Sequence, residues 1–522
     1  MSVIVNGDNL QIEDVIKVGR FNEKIKIPNE NIQKIQDNWN LILKLLDKGT
    51  IMYGVNTGIG GFGDKILDNS LGGELSERML KAHASGAGDP APIEISRASL
   101  LLRLNVLVKG YSGVRPLIIN KIVELLNKNI TPVIYEKGSV GTSGDLAPLS
   151  QMMLPLIGEG EVFYEGERVD TLVAFEKENI KPIRLMPREG LALFNGTQFM
   201  SAYACFNIYD GERLIKLSEV SGALTIDVLN TVTMAFDSRL IELRPFSGQI
   251  NVAKNLNNLL KDSEILAQKK TETQSAYSLR CTPQVTGPFK DSLNYAKKQV
   301  EIEINSVVDN PIFITKSETY LAGGNFHGEP IGLVMDLLSI AITDLGNLSE
   351  RRTNRLLNPN LNKDLPDFLI KSEGLDSGLM IAQYTQAGLI NENKILATPA
   401  TIDSIPVSGD QEDHVSMGTN AARKLRTIIQ NTQIIVAIEL LCGCQALDFR
   451  RPLKAGVGSE IAYQEIRKVS SFINEDRVFY KDIDKVVSIV KNNSILDKVE
   501  EKVNLKWMRK LVFFSLNPNL EM

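Results

Sequence analysis

Residues 138–149 read Gly-Ser-Val-Gly-Thr-Ser-Gly-Asp-Leu-Ala-Pro-Leu, and an apolar run through Met152, Met153, Leu154 and Leu156 follows. Glycines and hydroxyl residues packed before an aspartate, with a proline three residues on, spell a tight turn feeding a helix N-terminus. Asp145 suits the cap, and a proline in the first turn needs no backbone N–H. The centre of the turn is Thr142-Ser143-Gly144. A glycine nitrogen, with no Cβ beside it, can approach a neighbouring carbonyl closely. Attack of the Gly144 nitrogen on the Thr142 carbonyl carbon, loss of water, and loss of the Ser143 hydroxyl as a second water would leave a five-membered ring bearing an exocyclic methylene. That is an electrophile made from backbone alone. The bland alternative is a Gly/Ser turn capping a helix, a common composition for turns.

Outward from this turn, the whole chain sets bounds. At 522 residues it exceeds one compact core of ordinary size, so two domains, or one drawn out along long helices, are expected. The net charge of −5 and the lack of a basic run argue against nucleic acid as a partner. The N-terminus shows no signal-peptide pattern. No run of membrane-spanning length is free of charge: the best, near Ile434 to Leu447, contains Glu439. Four cysteines, Cys205, Cys281, Cys442 and Cys444, are sparse and irregularly spaced, which suggests reduced thiols in a cytoplasm.

Along the chain, Val3 to Val5 is a short strand candidate and helical periodicity runs from Ile32 to Leu46. Tyr53-Gly-Val-Asn-Thr-Gly-Ile-Gly-Gly-Phe-Gly, residues 53–63, holds too much glycine for a stable element and reads as a loop able to close over a site. No Gly-Lys-Ser/Thr follows, so a phosphate cradle is a weak reading. Helices are expected over 70–82, 96–109 and from Pro116 onward, and a small β-element within 158–185. From about residue 190 the pattern turns helical, with long helices over 199–235, 289–308, 328–355 and 418–447. Glu439 interrupts the apolar stripe of the last. Residues 354–377 read as a loop between helices.

Three histidines, His83, His327 and His414, sit in segments dense with glycine, asparagine or acidic residues. Their separation, with no His-x-x-x-His pair, makes a metal site weak, and none is expected. Asn195-Gly-Thr-Gln follows an apolar run. Gln274, Tyr277 and Arg280 fall at i, i+3, i+6 and would share one side of a helical turn. The planar fork of an arginine is the natural partner of a carboxylate, though a surface salt bridge would use it too.

Taken together, the Thr-Ser-Gly turn, the Tyr53 loop, Asn195-Gly-Thr-Gln, the 274–284 stretch and Gln-Glu-Asp-His at 411–414 resemble the ammonia-lyases and aminomutases that use 4-methylideneimidazole-5-one (MIO). In that family the ring forms from Ala-Ser-Gly, so Thr142 is a departure, though the ring takes only the backbone carbonyl of that residue. The resemblance spans about residues 50–450 and is nearest to the histidine branch, through His83 and Glu412. It implies a mainly α protein, a long-helix bundle with a smaller mixed N-terminal domain carrying the self-formed cofactor. Residues 1–198 would form that domain and 199–522 the helical bundle. It implies that Tyr53 is the base and that Asn195 and Tyr277 support the electrophile and the substrate amine. Arg280, with Gln274 beside it, would hold the carboxylate. Phe326 would pack on the ring, and His83 and Glu412 would hold the substrate side chain. Residues 244–249 lack a histidine frequent in the family.

The physical logic agrees. Ammonia is a poor leaving group and a β-proton is weakly acidic, so an electrophile and a positioned base are both required. Tyrosine serves as that base only if its pKa, normally about 10, is lowered. The resemblance implies a homotetramer with shared sites, and the expectation is a cytoplasmic enzyme turning L-histidine into urocanate and ammonia. The rivals are a tyrosine or phenylalanine lyase or aminomutase, a serine hydrolase on Ser143, and a non-catalytic helical scaffold. The hydrolase lacks the last glycine of Gly-x-Ser-x-Gly, since Asp145 stands there.

Overall fold

The computed structural model describes residues 2–507. The chain forms two compact units, neither continuous in sequence. Of the described residues, one comprises 2–210, 295–339 and 397–427, the other 211–294, 340–396 and 428–507. The first division between the units falls after Asp210, inside the helix Gln198–Val228 and not at residue 198.

The first unit is built on the helix Ile93–Leu107, buried from Ile95 to Leu107, with Ile12–Phe21 packed along it. An all-apolar helix surface belongs in a core, yet this one also buries Arg97, Arg103 and Asn105. Each finds hydrogen-bond partners: Arg97 Nε donates to the Val18 carbonyl at 3.1 Å, and Asn105 Nδ2 to the Ile304 carbonyl at 2.8 Å. Most buried polar groups are partnered in this way. Pro116–Asn127, which carries its proline at the start, also packs on this helix, and among the described residues there are four small sheets. Val3–Ile4 pairs in parallel with Ile25–Lys26. Ala87–Pro90 pairs antiparallel with Tyr135–Lys137, and Ile312–Ile314 with Thr319–Leu321. Glu161–Tyr164 is the middle strand between Thr131–Pro132 and Glu167–Asp170, the β-element expected within 158–185.

The second unit is helical. Glu439, which broke the apolar stripe, is fully buried and saturated. Arg352 binds both its oxygens, at 2.5 and 2.8 Å, and the Thr225 and Ser349 hydroxyls donate to it at 2.9 and 2.7 Å. Lys290 and Glu219 form a second fully buried pair at 2.5 Å, supported by Asn255. Removing one member of such a pair costs about 3–5 kcal/mol, because the other charge is left unpartnered.

Helix boundaries moved where local chemistry overrode periodicity. The first long helix ends at Val228, before left-handed Asn230 (φ 44°), not at 235. The second runs Thr282–Glu303, with Pro288 inside it, where 289–308 was expected. Glu329–Leu357 and Gly418–Arg450 fall close to expectation. Both are long and apolar enough to cross a membrane, and 72% and 78% of their apolar windows are buried within the protein, as in core helices. All four cysteines are free.

Candidate active site

The Thr142-Ser143-Gly144 turn is clamped by three segments of the first unit. Gly144 has a φ of +73°, and a Cβ placed there would sit 1.9 Å from the Gly196 carbonyl oxygen, so only glycine fits. The Asp145 N–H donates to that same carbonyl at 2.7 Å, and the Gly196 N–H reaches the Ser143 carbonyl at 3.4 Å. Asn195 Nδ2 also donates to the Ser143 carbonyl, at 3.4 Å. On the other side, the Ser416 hydroxyl and the Gly328 N–H donate to the Gly141 carbonyl at 2.8 and 3.1 Å.

Asp145 does not cap the helix that follows it. That helix, Ala147–Met153, begins after Leu146 with no side-chain cap. The Asp145 carboxylate instead accepts the N–H groups of Phe199 and Met200, at 2.7 and 3.2 Å, in the first turn of Gln198–Val228. The Thr419 and Ser139 hydroxyls fill its other oxygen, at 2.6 and 3.3 Å. The capping preference was right but the helix was wrong, because a buried carboxylate goes to whichever unpaired N–H groups the fold brings to it. Full burial pushes its pKa up to about 6 against these hydrogen bonds.

Behind the turn lies a brace that sequence reasoning missed. Arg103 donates to the Asn195 carbonyl at 2.6 Å and to the Ala192 carbonyl, and pairs with Asp309 at 3.1 Å. Asp309 also holds Arg188, at 2.9 Å, and all three side chains are fully buried. The available signal was Arg103 itself, a cation inside the run Leu100 to Leu107. Nearby, Thr197 donates to Glu303, whose carboxyl burial pushes up to about 7.

Two cavities meet at Ser143. The first, about 540 Å³, is lined by His83, Leu191, Phe194, Tyr53, Asn195 and Glu412 among others. The second, about 460 Å³, shares Tyr53, Ser143, Asn195 and Glu412 and adds Thr142, Phe326 and His327. Both volumes fall within the range of small-molecule sites. His83 stacks on Phe194 with centroids 4.6 Å apart, and its Nδ1 lies 2.8 Å from the Met79 carbonyl. A carbonyl can only accept, so Nδ1 carries the proton and Nε2 is left for a ligand. The Thr142 hydroxyl donates to Glu412 Oε2, and Ser143 Oγ lies 3.3 Å from Glu412 Oε1. His327 and His414 lie side by side, centroids 5.6 Å apart. Among the described residues no group of three or more His, Cys, Asp or Glu could hold a metal.

Tyr53 differs from expectation in its electrostatics. Its hydroxyl accepts the Gly60 N–H at 2.7 Å. Burial raises its pKa, the Gly60 hydrogen bond lowers it, and the Glu412 charge raises it, with the net shift upward. A base would need the reverse. The expected cationic partner is elsewhere: Tyr277 and Arg280 form the short helix Tyr277–Arg280 in the second unit. Tyr277 is 70% exposed, its ring 4.6 Å from the Arg280 guanidinium. Gln274 precedes that helix, so the three do not share one helical side. None of them lines either cavity.

Residues 10–468 match the model of the aromatic amino acid lyase family. The chain belongs to that family. It is similar to a histidine ammonia-lyase of Caldanaerobacter subterraneus subsp. tengcongensis, 44% identical over 96% of this chain and 98% of the relative. A histidine ammonia-lyase of Alkaliphilus oremlandii is 43% identical over 97% and 99%. Among solved structures of this lyase fold, the tyrosine aminomutase from Streptomyces globisporus superposes with a TM-score of 0.93 at 34% identity, covering 97% of this chain and 100% of that one. The histidine ammonia-lyase from Trypanosoma cruzi gives 0.89 at 35% identity, covering 96% of both chains. As a member of the lyase family, the protein is a carbon–nitrogen lyase of mainly helical fold.

Proposed function

We propose that this protein removes ammonia from L-histidine without oxidation, giving urocanate. The observation that carries this reading is the Glu412 carboxylate beside Ser143 in the wall of a cavity that His83 also lines. A carboxylate accepts an imidazole N–H, and a benzene ring offers no such donor. The relatives named histidine ammonia-lyase, at 43–44% identity over nearly the whole chain, support the same substrate.

The Thr142-Ser143-Gly144 turn fits self-cyclisation. Its glycine admits no Cβ, and hydrogen bonds to Gly196 hold it against a fixed neighbour. The MIO ring so formed would supply the electrophile that makes the substrate's amine a leaving group. Asn195, whose Oδ1 is buried without a hydrogen-bond partner among the described residues, would support the ring and the amine. Phe326 would pack against the ring, and Glu412 with His83 would hold the imidazole. Tyr53 would take the β-proton once a cation lowers its pKa.

That cation would be the partner subunit's Arg280, which would also hold the substrate carboxylate, with the partner subunit's Gln274 and Tyr277 beside it. This assigns residues 1–198 the electrophile and the base, and residues 199–522 the bundle and the carboxylate clamp, in a cytoplasmic homotetramer. Exposed apolar side chains support burial against further copies. Leu333, Leu337 and Ile340 lie on one face of Glu329–Leu357, and Ile381, Tyr384 and Ile395 on Met380–Leu396.

The test is incubation of the purified protein with histidine, tyrosine and phenylalanine separately, with product identification. Urocanate and ammonia from histidine, at the highest kcat/KM of the three, is the expected result. A better reaction with tyrosine or phenylalanine, or a β-amino acid product, would overturn it.

A further inference from the structure

Glu412 stands on a loop pinned through its backbone. Its N–H and carbonyl exchange hydrogen bonds with Val407, at 3.3 and 3.0 Å. Three rotatable bonds separate that backbone from the carboxylate, so the backbone alone does not aim it, and ordering such a side chain on binding costs affinity. What holds the carboxylate is the turn itself: the Thr142 hydroxyl on Oε2 and the Ser143 hydroxyl on Oε1.

These two hydroxyls have different fates when the ring forms. The Gly144 nitrogen bonds to the Thr142 carbonyl carbon. The Thr142 carbonyl oxygen leaves as water with the protons of the Gly144 and Ser143 N–H groups. The Ser143 hydroxyl then leaves as a second water with the Ser143 α-proton. The Thr142 side chain takes no part and survives. Maturation therefore removes the donor on Oε1 and keeps the donor on Oε2.

We propose that Thr142 is a positioning residue for substrate recognition: its hydroxyl anchors Glu412 through Oε2 and presents Oε1, vacated by the loss of the Ser143 hydroxyl, to the substrate's imidazole N–H. This rests on Glu412 being the imidazole's partner, as proposed above. In this chain the residue that departs from the family's alanine is the one whose side chain meets the recognition carboxylate.

The test is calorimetric binding of imidazole-4-propanoate, which has no amine to eliminate, with 3-phenylpropanoate as the control ligand. Intact mass reports the modified fraction of each variant. Thr142→Val, which keeps the shape and loses the hydroxyl, should weaken imidazolepropanoate about ten-fold, the scale of one lost hydrogen bond to a charged group. Thr142→Ser should stay within about two-fold, and phenylpropanoate should bind all variants alike. In a Glu412→Gln background, Thr142→Val should add less than about two-fold, because coupled residues are not additive. The same pair compared in Ser143→Ala chains, which carry neither the Ser143 hydroxyl nor the exocyclic methylene made from it, separates aiming from formation of the electrophile, and the Thr142→Val loss should persist there. If Glu412→Gln weakens imidazolepropanoate while Thr142→Val does not, or if Thr142→Val weakens both ligands equally, the positioning role fails and the Glu412 assignment stands. If Glu412→Gln itself has no effect, the Glu412 assignment fails and takes this proposal with it.

Discussion

Adding one methyl group at Gly196 should stop the electrophile from forming without unfolding the protein. The Gly196 φ is +144°, and an alanine Cβ there would lie 2.5 Å from the Val308 carbonyl oxygen. It would also lie 2.6 Å from Gln198 Oε1 and 2.8 Å from an Arg103 guanidinium nitrogen. The first of these is backbone and the other two belong to buried side chains, so residue 196 itself must shift. Forcing a non-glycine residue into such a conformation costs about 1–3 kcal/mol, and overpacking a buried site about 1–3 kcal/mol more. The sum, about 2–6 kcal/mol, is within the about 5–15 kcal/mol that holds a typical domain together. The carbonyl that would move is the one that receives the Asp145 N–H at 2.7 Å and abuts Gly144. The assay is intact mass with a denaturant melt. Gly196→Ala should lower the melt midpoint, and a large share of its molecules should retain the mass of the unmodified sequence, with activity falling in proportion. Gly166→Ala is the control, since its φ is also positive (+87°) but nothing lies within 4 Å of the added carbon. It should be fully modified. A Gly196→Ala protein that is as stable and as fully modified as wild type would refute the bracing argument.

Further expectations concern recognition, pH and assembly. Glu412→Gln should lower kcat/KM on histidine about ten- to a hundred-fold, since losing a charged hydrogen bond in a closed site is worth about 1.5–3 kcal/mol; an unchanged value removes Glu412 from recognition. Glu303, pushed up to about 7 by burial, holds its proton more tightly folded than unfolded. The folded state therefore loses stability as pH rises from about 4.5 to 7, and the penalty is full above that range. Glu303→Gln should accordingly be near neutral below about pH 4.5 and stabilising above pH 7 by up to about 3 kcal/mol; a pH-independent difference in melts would contradict this. Ser143→Ala and Arg280→Ala should each be nearly inactive, yet verified mixed tetramers of the two should regain activity. Mixed tetramers as dead as their parents would place both residues of a site in one chain.

Much of the candidate site was legible because its chemistry is local. The Thr142-Ser143-Gly144 turn, the glycine loop after Tyr53 and the Asn195-Gly pair each declare themselves through residues whose backbone freedom has few other uses. The structure brings Tyr53, His83, Ser143, Asn195 and Glu412 to the walls of one cavity. Long helices were readable where apolar residues recur, as in Gly418–Arg450. Met380–Leu396 was not, because only Ala382, Gln386 and Asn393 are buried along it and no continuous stripe marks it. What stayed hidden depends on partners distant in sequence. Asp145 looked like the cap of its own helix and serves the first turn of another. Glu439 looked like a flaw in a stripe and is the hub of a buried network with Arg352. The Arg103–Asp309–Arg188 brace joins positions whose proximity no periodicity reveals. Gln274 was set on a helical side by its spacing, whereas the helix begins only at Tyr277.

The most direct test of the central claim is the mass of the wild-type protein, followed by mapping of the peptide that contains residues 142–144. The chain should weigh two water molecules less than its sequence, with the whole deficit in that peptide, and Ser143→Ala should restore one water or both and abolish turnover. An active wild-type protein with the full mass of its sequence would contradict the account.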